Sequence, residues 1–151
     1  MPSYQSARIA NRIIGLEDQG GNVPLGDSVI KAVPAHPPST PRGNFQLDDP
    51  KAKISSRDMG ASLVDDDPGE PVTDFEAHIP TMRGFHQRYM TANRACRLWA
   101  RMVRGMDIEW LVPQHGRPFK GREMIHRFLD WIEQLDCGVD LLDEGSYRVP
   151  L

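Results

Sequence analysis

Between Thr91 and Asp136 the apolar residues recur twice with helical period, and the two periodic stretches are separated by one short apolar run that ends in proline. In TANRACRLWARMVR (91–104), Ala92, Ala95, Cys96, Trp99, Met102 and Val103 share one helical face, with Thr91 placed to act as N-cap and Gly105 as the stop. In REMIHRFLDWIEQLD (122–136), Met124, Ile125, Phe128, Leu129, Ile132 and Leu135 keep the same period until Gly138 closes it. The run between them, DIEWLVP (107–113), has the length of a strand, and Pro113 ends it because proline has no N–H to give to a ladder. Helix, strand, loop and helix in that order bury their apolar faces by layering on a sheet, which predicts an α/β fold.

The first half carries weaker patterns. Ile9, Ile13, Ile14 and Leu16 predict a short amphipathic helix within residues 1–16, broken at DQGGN. DSVIKAVPAH (27–36) reads as a strand through Val29, Ile30 and Val33, and further short strands are expected at NFQL (44–47) and KISS (53–56). The four prolines and one glycine of PAHPPSTPRGN make residues 34–44 a loop, and DDPKA a turn. Residues 65–80, DDDPGEPVTDFEAHIP, are acidic and proline-broken, the composition of an exposed, flexible connection.

A length of 151 residues suits one domain, and a net charge of -3 gives no general case for nucleic acid or an anionic membrane. Arg83, Arg88, Arg94, Arg97, Arg101 and Arg104 form a basic run in a segment without acidic residues, where a solvated helix face is the expectation and an anionic partner or the acidic loop DDDPGE the alternative. Cys96 and Cys137 lack CxxC spacing, which argues against a zinc knuckle or a disulfide scaffold and for a reducing cytoplasm. No stretch has the apolar length of a signal core or a membrane span.

Two positions carry chemistry. In LVPQHGRPF (111–119), His115 falls in the loop at the C-terminal end of a predicted strand, where open α/β sheets place ligands, and Pro113, Gly116 and Pro118 restrict its backbone. In ISSRDMGAS (54–62), Asp58 stands where another strand should end, and a carboxylate there has two oxygens with which to bridge two cations. A capping or packing role is the alternative for each. His78 and His86 flank IPTMRGF, where solvated loop histidines are the expectation. His126 is expected on a helix surface or in packing.

The stretch 85–142, from FHQRYMTANRACRLWARMVRG through DIEWLVPQHGRPF to QLDCGVDLL, resembles the C-terminal part of the metallo-β-lactamase-fold domain of oxygen-binding diiron proteins, relatives of the flavodiiron oxygen and nitric oxide reductases. Upstream, PAHPPSTPRGNFQLDDPKAKISSRDMGASL resembles that family's segment from Pro-Ala-His to Ser-Gly-Asp-x-Gly-Ala-Ser. The resemblance implies a single truncated domain over 1–151, the C-terminal half of an αβ/βα sandwich. It implies that Asp58 matches the metal-bridging carboxylate and His115 the last histidine ligand, with iron, two ions in the family, as the cofactor. Ser39 stands where a further ligand histidine is usual, so His36 is the substitute candidate, and the resemblance gives His78 and His86 a supporting role beside the site as the alternative to a solvated loop. Arg57 replaces a usual glycine, in a strand one residue shorter than the family's, and the family's first ligand cluster of His-x-Glu-x-Asp-His type occurs nowhere in the chain. The expected function is therefore metal binding related to dioxygen or nitric oxide chemistry, with enzymatic activity left open. The expected partners are an electron-transfer flavoprotein or rubredoxin, and a second copy or another chain supplying the missing half. The alternatives are a metal-free interaction module and a zinc-dependent hydrolase of the same superfamily.

Overall fold

A computed structural model of the chain describes residues 19–33, 44–48, 53–63, 69–147 and 149. The expectations for residues 1–16, for the 34–43 loop and for His36 and Ser39 lie outside these. Among the described residues, six strands form one sheet in the order β1 (Gly21–Leu25), β2 (Ser28–Val33), β3 (Asn44–Asp48), β4 (Lys53–Arg57), β5 (Trp110–Pro113), β6 (Phe119–Lys120). Every neighbouring pair is antiparallel except β4 and β5, which run parallel with Ile54 beside Leu111. Parallel strands need a crossover. It is supplied by α1 (Phe75–Tyr89) and α2 (Asn93–Arg104), while α3 (Arg122–Gln134) follows β6 and is itself followed by two short 3₁₀ turns.

The α/β class expected from the helix-strand-helix wiring is the one observed, with each predicted strand in place. Two strands were not anticipated, β1 and the two-residue β6. β1 follows the Gly-Gly pair and contains Pro24, which is tolerated because β1 is an edge strand. It joins β2 through the two-residue loop Gly26-Asp27, with Gly26 at φ 62°. Glycine at the first central position is the requirement of a tight II′ hairpin, so this strand did have a local signal.

Two further corrections concern the middle of the chain. The acidic stretch 65–80 is not wholly a connection: α1 begins at Phe75, and the Asp74 carboxylate caps it by accepting a bond from the Ala77 N–H at 3.1 Å. An acid read as solvated charge works as a helix cap. Thr91, by contrast, does not cap α2. The capping position is Ala92, without a side-chain bond. The helix start is served from a distance by the Asp140 carboxylate, which accepts from the Asn93 N–H.

The core lies on one face of the sheet. Ile54, Leu111 and Phe119 join Phe75 and Met82 of α1, Trp99 and Val103 of α2, and Ile125, Phe128, Leu129 and Ile132 of α3 in one buried cluster. The alternate positions Lys53 and Ser55 on β4 point the other way and are exposed. Phe128 is the hub: its ring stacks on Phe119 at 4.8 Å and meets Trp99 edge-on at 6.4 Å. Arg104, from the basic run, is tied to Asp130 at 2.8 Å and Glu133 at 3.2 Å across the α2–α3 contact, while Arg94, Arg97 and Arg101 are exposed as expected of a solvated face.

Candidate metal centre

The one parallel pair sets the geometry. Arg57 and Pro113 are register partners at the ends of β4 and β5, so Asp58 and His115 leave neighbouring strands in the same direction, at the C-terminal end of the pair. Both side chains are accessible, Asp58 partly and His115 more fully. His126, at the other end of β5, borders a small cleft with Asp107 and takes no part.

Backbone hydrogen bonds sew the two loops together. The Gln114 N–H donates to the Arg57 carbonyl at 2.6 Å, and the Ser62 N–H to the His115 carbonyl at 3.2 Å. The Arg117 N–H donates to Ser62 Oγ at 3.3 Å. Gly116, at φ 82°, is required on two counts: the left-handed backbone disfavours a side chain, and a Cβ there would overlap Ser62 Oγ and the Ser62 carbonyl. The Asp58 loop is also closed on itself, by Ser56 Oγ donating to the Met59 carbonyl at 2.6 Å and the Ala61 N–H to the Asp58 carbonyl at 3.1 Å.

His78 and His86 are not loop residues. Both lie on the inner stripe of α1 with Phe75 and Met82, at spacings of three and four, and both are buried. His78 meets Phe119 edge-on at 5.9 Å and Thr81 Oγ1 at 3.3 Å through Nδ1. His86 is 0 % exposed, and its Nε2 accepts from the Gly60 N–H at 3.0 Å, two residues past Asp58. Burial pushes its pKa down to about 4, against smaller opposing effects of the Met82 carbonyl and the Asp58 charge. Ser62 is a supporting residue that the sequence reading passed over; His86 takes the supporting role that was one of its two expected readings, but on a buried helical stripe, Phe75, His78, Met82, His86, rather than in a solvated loop.

Asp58 and His115 supply a carboxylate oxygen and an imidazole nitrogen, donors suited to iron or zinc. They fit one side of a metal site and no more. Among the described residues, no three His, Cys, Asp or Glu side chains cluster so as to hold a metal ion. His115 also borders an open groove of about 720 Å³, lined by Ser62, Gly84, Phe85, Arg88 and Tyr89 among others. No helix among the described residues is long and apolar enough to cross a membrane.

A mixed sheet with its helices on one face, bearing a carboxylate and an imidazole at the ends of adjacent parallel strands, defines half of the layered metallo-β-lactamase fold. A model described as ODP family beta lactamase matches residues 1–116. The chain belongs to this ODP family of beta-lactamase-like proteins, in agreement with the diiron resemblance carried by its motifs. A structure titled as a peroxy diiron species of the chemotaxis sensor ODP is 36% identical, covers 86% of this chain and 56% of its own, and has a TM-score of 0.75. The apo state of the chemotaxis sensor ODP from T. denticola is likewise 36% identical at TM-score 0.75, with coverages of 87% and 54%. A flavo-diiron protein variant from Thermotoga maritima, at 18% identity, 76% and 28% coverage and TM-score 0.62, shares the fold. No curated protein matches. The chain thus spans little more than half the length of the ODP sensors.

Proposed function

We propose that this chain carries one side of a non-haem diiron site, with Asp58 and His115 as ligands, and that the site serves dioxygen binding or the reduction of dioxygen or nitric oxide. The observation that carries this reading is the pairing of Asp58 and His115 at the ends of the parallel strands, their loops bonded to each other through Ser62, Gln114 and Arg117. The likeness to the ODP chemotaxis sensor, described as a peroxy diiron species, supports it. Bound iron would supply the redox chemistry with oxygen. The chain's own part is to hold the donors: the Asp58 carboxylate offers two oxygens, and His115 offers a ring nitrogen only when that nitrogen is free of a proton.

His36 is a third candidate ligand, and a second copy or another chain can supply further ligands, since the family's first cluster does not occur in residues 1–151. Electrons would then arrive from a flavoprotein or rubredoxin. Metal analysis of protein purified without oxygen tests the reading. Iron bound by the wild type and lost in His115→Ala and in Asp58→Asn, at unchanged secondary structure, is the expected result. Iron retained in His115→Ala sinks the assignment of that ligand. Zinc in place of iron favours the hydrolase, and a folded, metal-free protein under iron loading favours an interaction module.

A further inference from the structure

We infer that His86 is a positioning residue of this site: its neutral ring fixes the loop that presents Asp58 by holding the Gly60 N–H. The inference rests on the reading of Asp58 as a metal ligand.

The hydrogen bonds dictate the tautomer. A carbonyl only accepts, so Nδ1, 2.9 Å from the Met82 carbonyl, carries the proton. An amide N–H only donates, so Nε2, 3.0 Å from the Gly60 nitrogen, is bare. The ring has no freedom to exchange these roles. Trp131 stands edge-on at 5.4 Å and Phe85 at 5.6 Å, and Phe128 tilts across at 6.1 Å. Gly60 itself, at φ 90°, faces the Phe119 ring, which a Cβ would touch at 2.9 Å. The loop from Ser56 to Ser62 is therefore clamped on its inner side by α1 and Phe119, and on its outer side by the His115 loop. Asp58 sits between the two clamps, on the turn bonded from Ser56 to Met59 and from Asp58 to Ala61. Removing the His86 acceptor leaves the Gly60 N–H buried without a partner, and the turn must then open to satisfy it.

Fe(II) titration under anaerobic conditions, on the full chain with whatever partner restores uptake, decides the point through two substitutions. His86→Gln keeps an acceptor at the Nε2 position, and His86→Phe keeps the apolar volume and removes it. The expectation is an affinity loss of about ten- to a hundredfold in His86→Phe, in the range of groups that orient a ligand from behind, with most of the affinity kept in His86→Gln. A folded His86→Phe that binds as the wild type does, or equal losses in both variants, overturns the inference. Should His86→Phe fail to fold, imidazole nitrogen NMR of the wild type still decides: a proton on Nε2 overturns it, and a bare Nε2 with a slowly exchanging Gly60 amide upholds the clamp. Wild-type protein that takes up no metal defeats the ligand reading of Asp58 instead, and the same two NMR observations then judge the loop clamp alone.

Discussion

Arg57, at a position the resemblance assigns to glycine, is the one non-glycine residue with a left-handed backbone among the described residues. Its φ of 52° is left-handed, a conformation that costs a residue with a side chain roughly 1–2 kcal/mol. The ladder slips at that point, between the Ser55 and Arg57 pairings. The slip falls at the end of β4, immediately before Asp58. His86 is the other residue with a consequence for stability. Its pKa of about 4 in the fold lies below the ordinary 6.5. Between those values the unfolded chain binds a proton that the folded chain refuses. Its contribution is thus fully present above pH 6.5 and is lost as pH falls towards 4, by roughly 3 kcal/mol at ~1.4 kcal/mol per unit. Denaturant midpoints measured across that window should fall more steeply for the wild type than for His86→Gln. Parallel slopes would show that His86 is protonated in the fold.

Between elements, the decisive link is Asn93. Its Nδ2 reaches the carbonyls of Ile132 (3.3 Å), Glu133 (3.0 Å) and Leu135 (2.9 Å), so the first residue of α2 caps the last turn of α3. In return Asp140, just beyond α3, serves the Asn93 N–H and the Cys137 N–H. Each helix ends on the other. Asn93→Ala should cost about 1–3 kcal/mol in a chemical melt, because orphaned carbonyls at a packed helix end are left to find water. A loss below ~0.5 kcal/mol would mean that water already replaces these bonds. This link explains why the helices were legible and their ends were not. Apolar period placed the bodies of α2 and α3, whereas both caps come from residues some forty positions away. The same limit applied to α1, whose buried stripe contains two histidines, and to the Asp74 cap, which reads locally as one more acid.

For the whole molecule, Cys96 and Cys137 report on the packing of α2 against the end of α3. Their Sγ atoms are 3.9 Å apart, both are free thiols and both are 0 % exposed. Burial pushes each thiol pKa up, Cys96 above the usual thiol range with the neighbouring Cys137 adding to it. A thiol reagent at about pH 8 should leave both unmodified in the native protein and label both in denaturant, with native labelling as slow as global unfolding. Fast labelling of either cysteine would place it outside the cooperative core. The same assembly frames the metal site. Asp58 and His115 were visible as residue types at two strand ends, and the family resemblance named their roles. That the two strands are adjacent and parallel is a property of the sheet, set by a crossover of some fifty residues. The sequence by itself determined the α/β class, the strand that ends at Pro113, and the two residues offered as ligands, because period, proline chemistry and donor type are local. Only the tertiary structure decided that these two loops share hydrogen bonds, that His86 stands beneath Asp58 in a single tautomer, and that helix ends are capped from afar. Those facts depend on which distant groups the packed core brings within about 3 Å of one another.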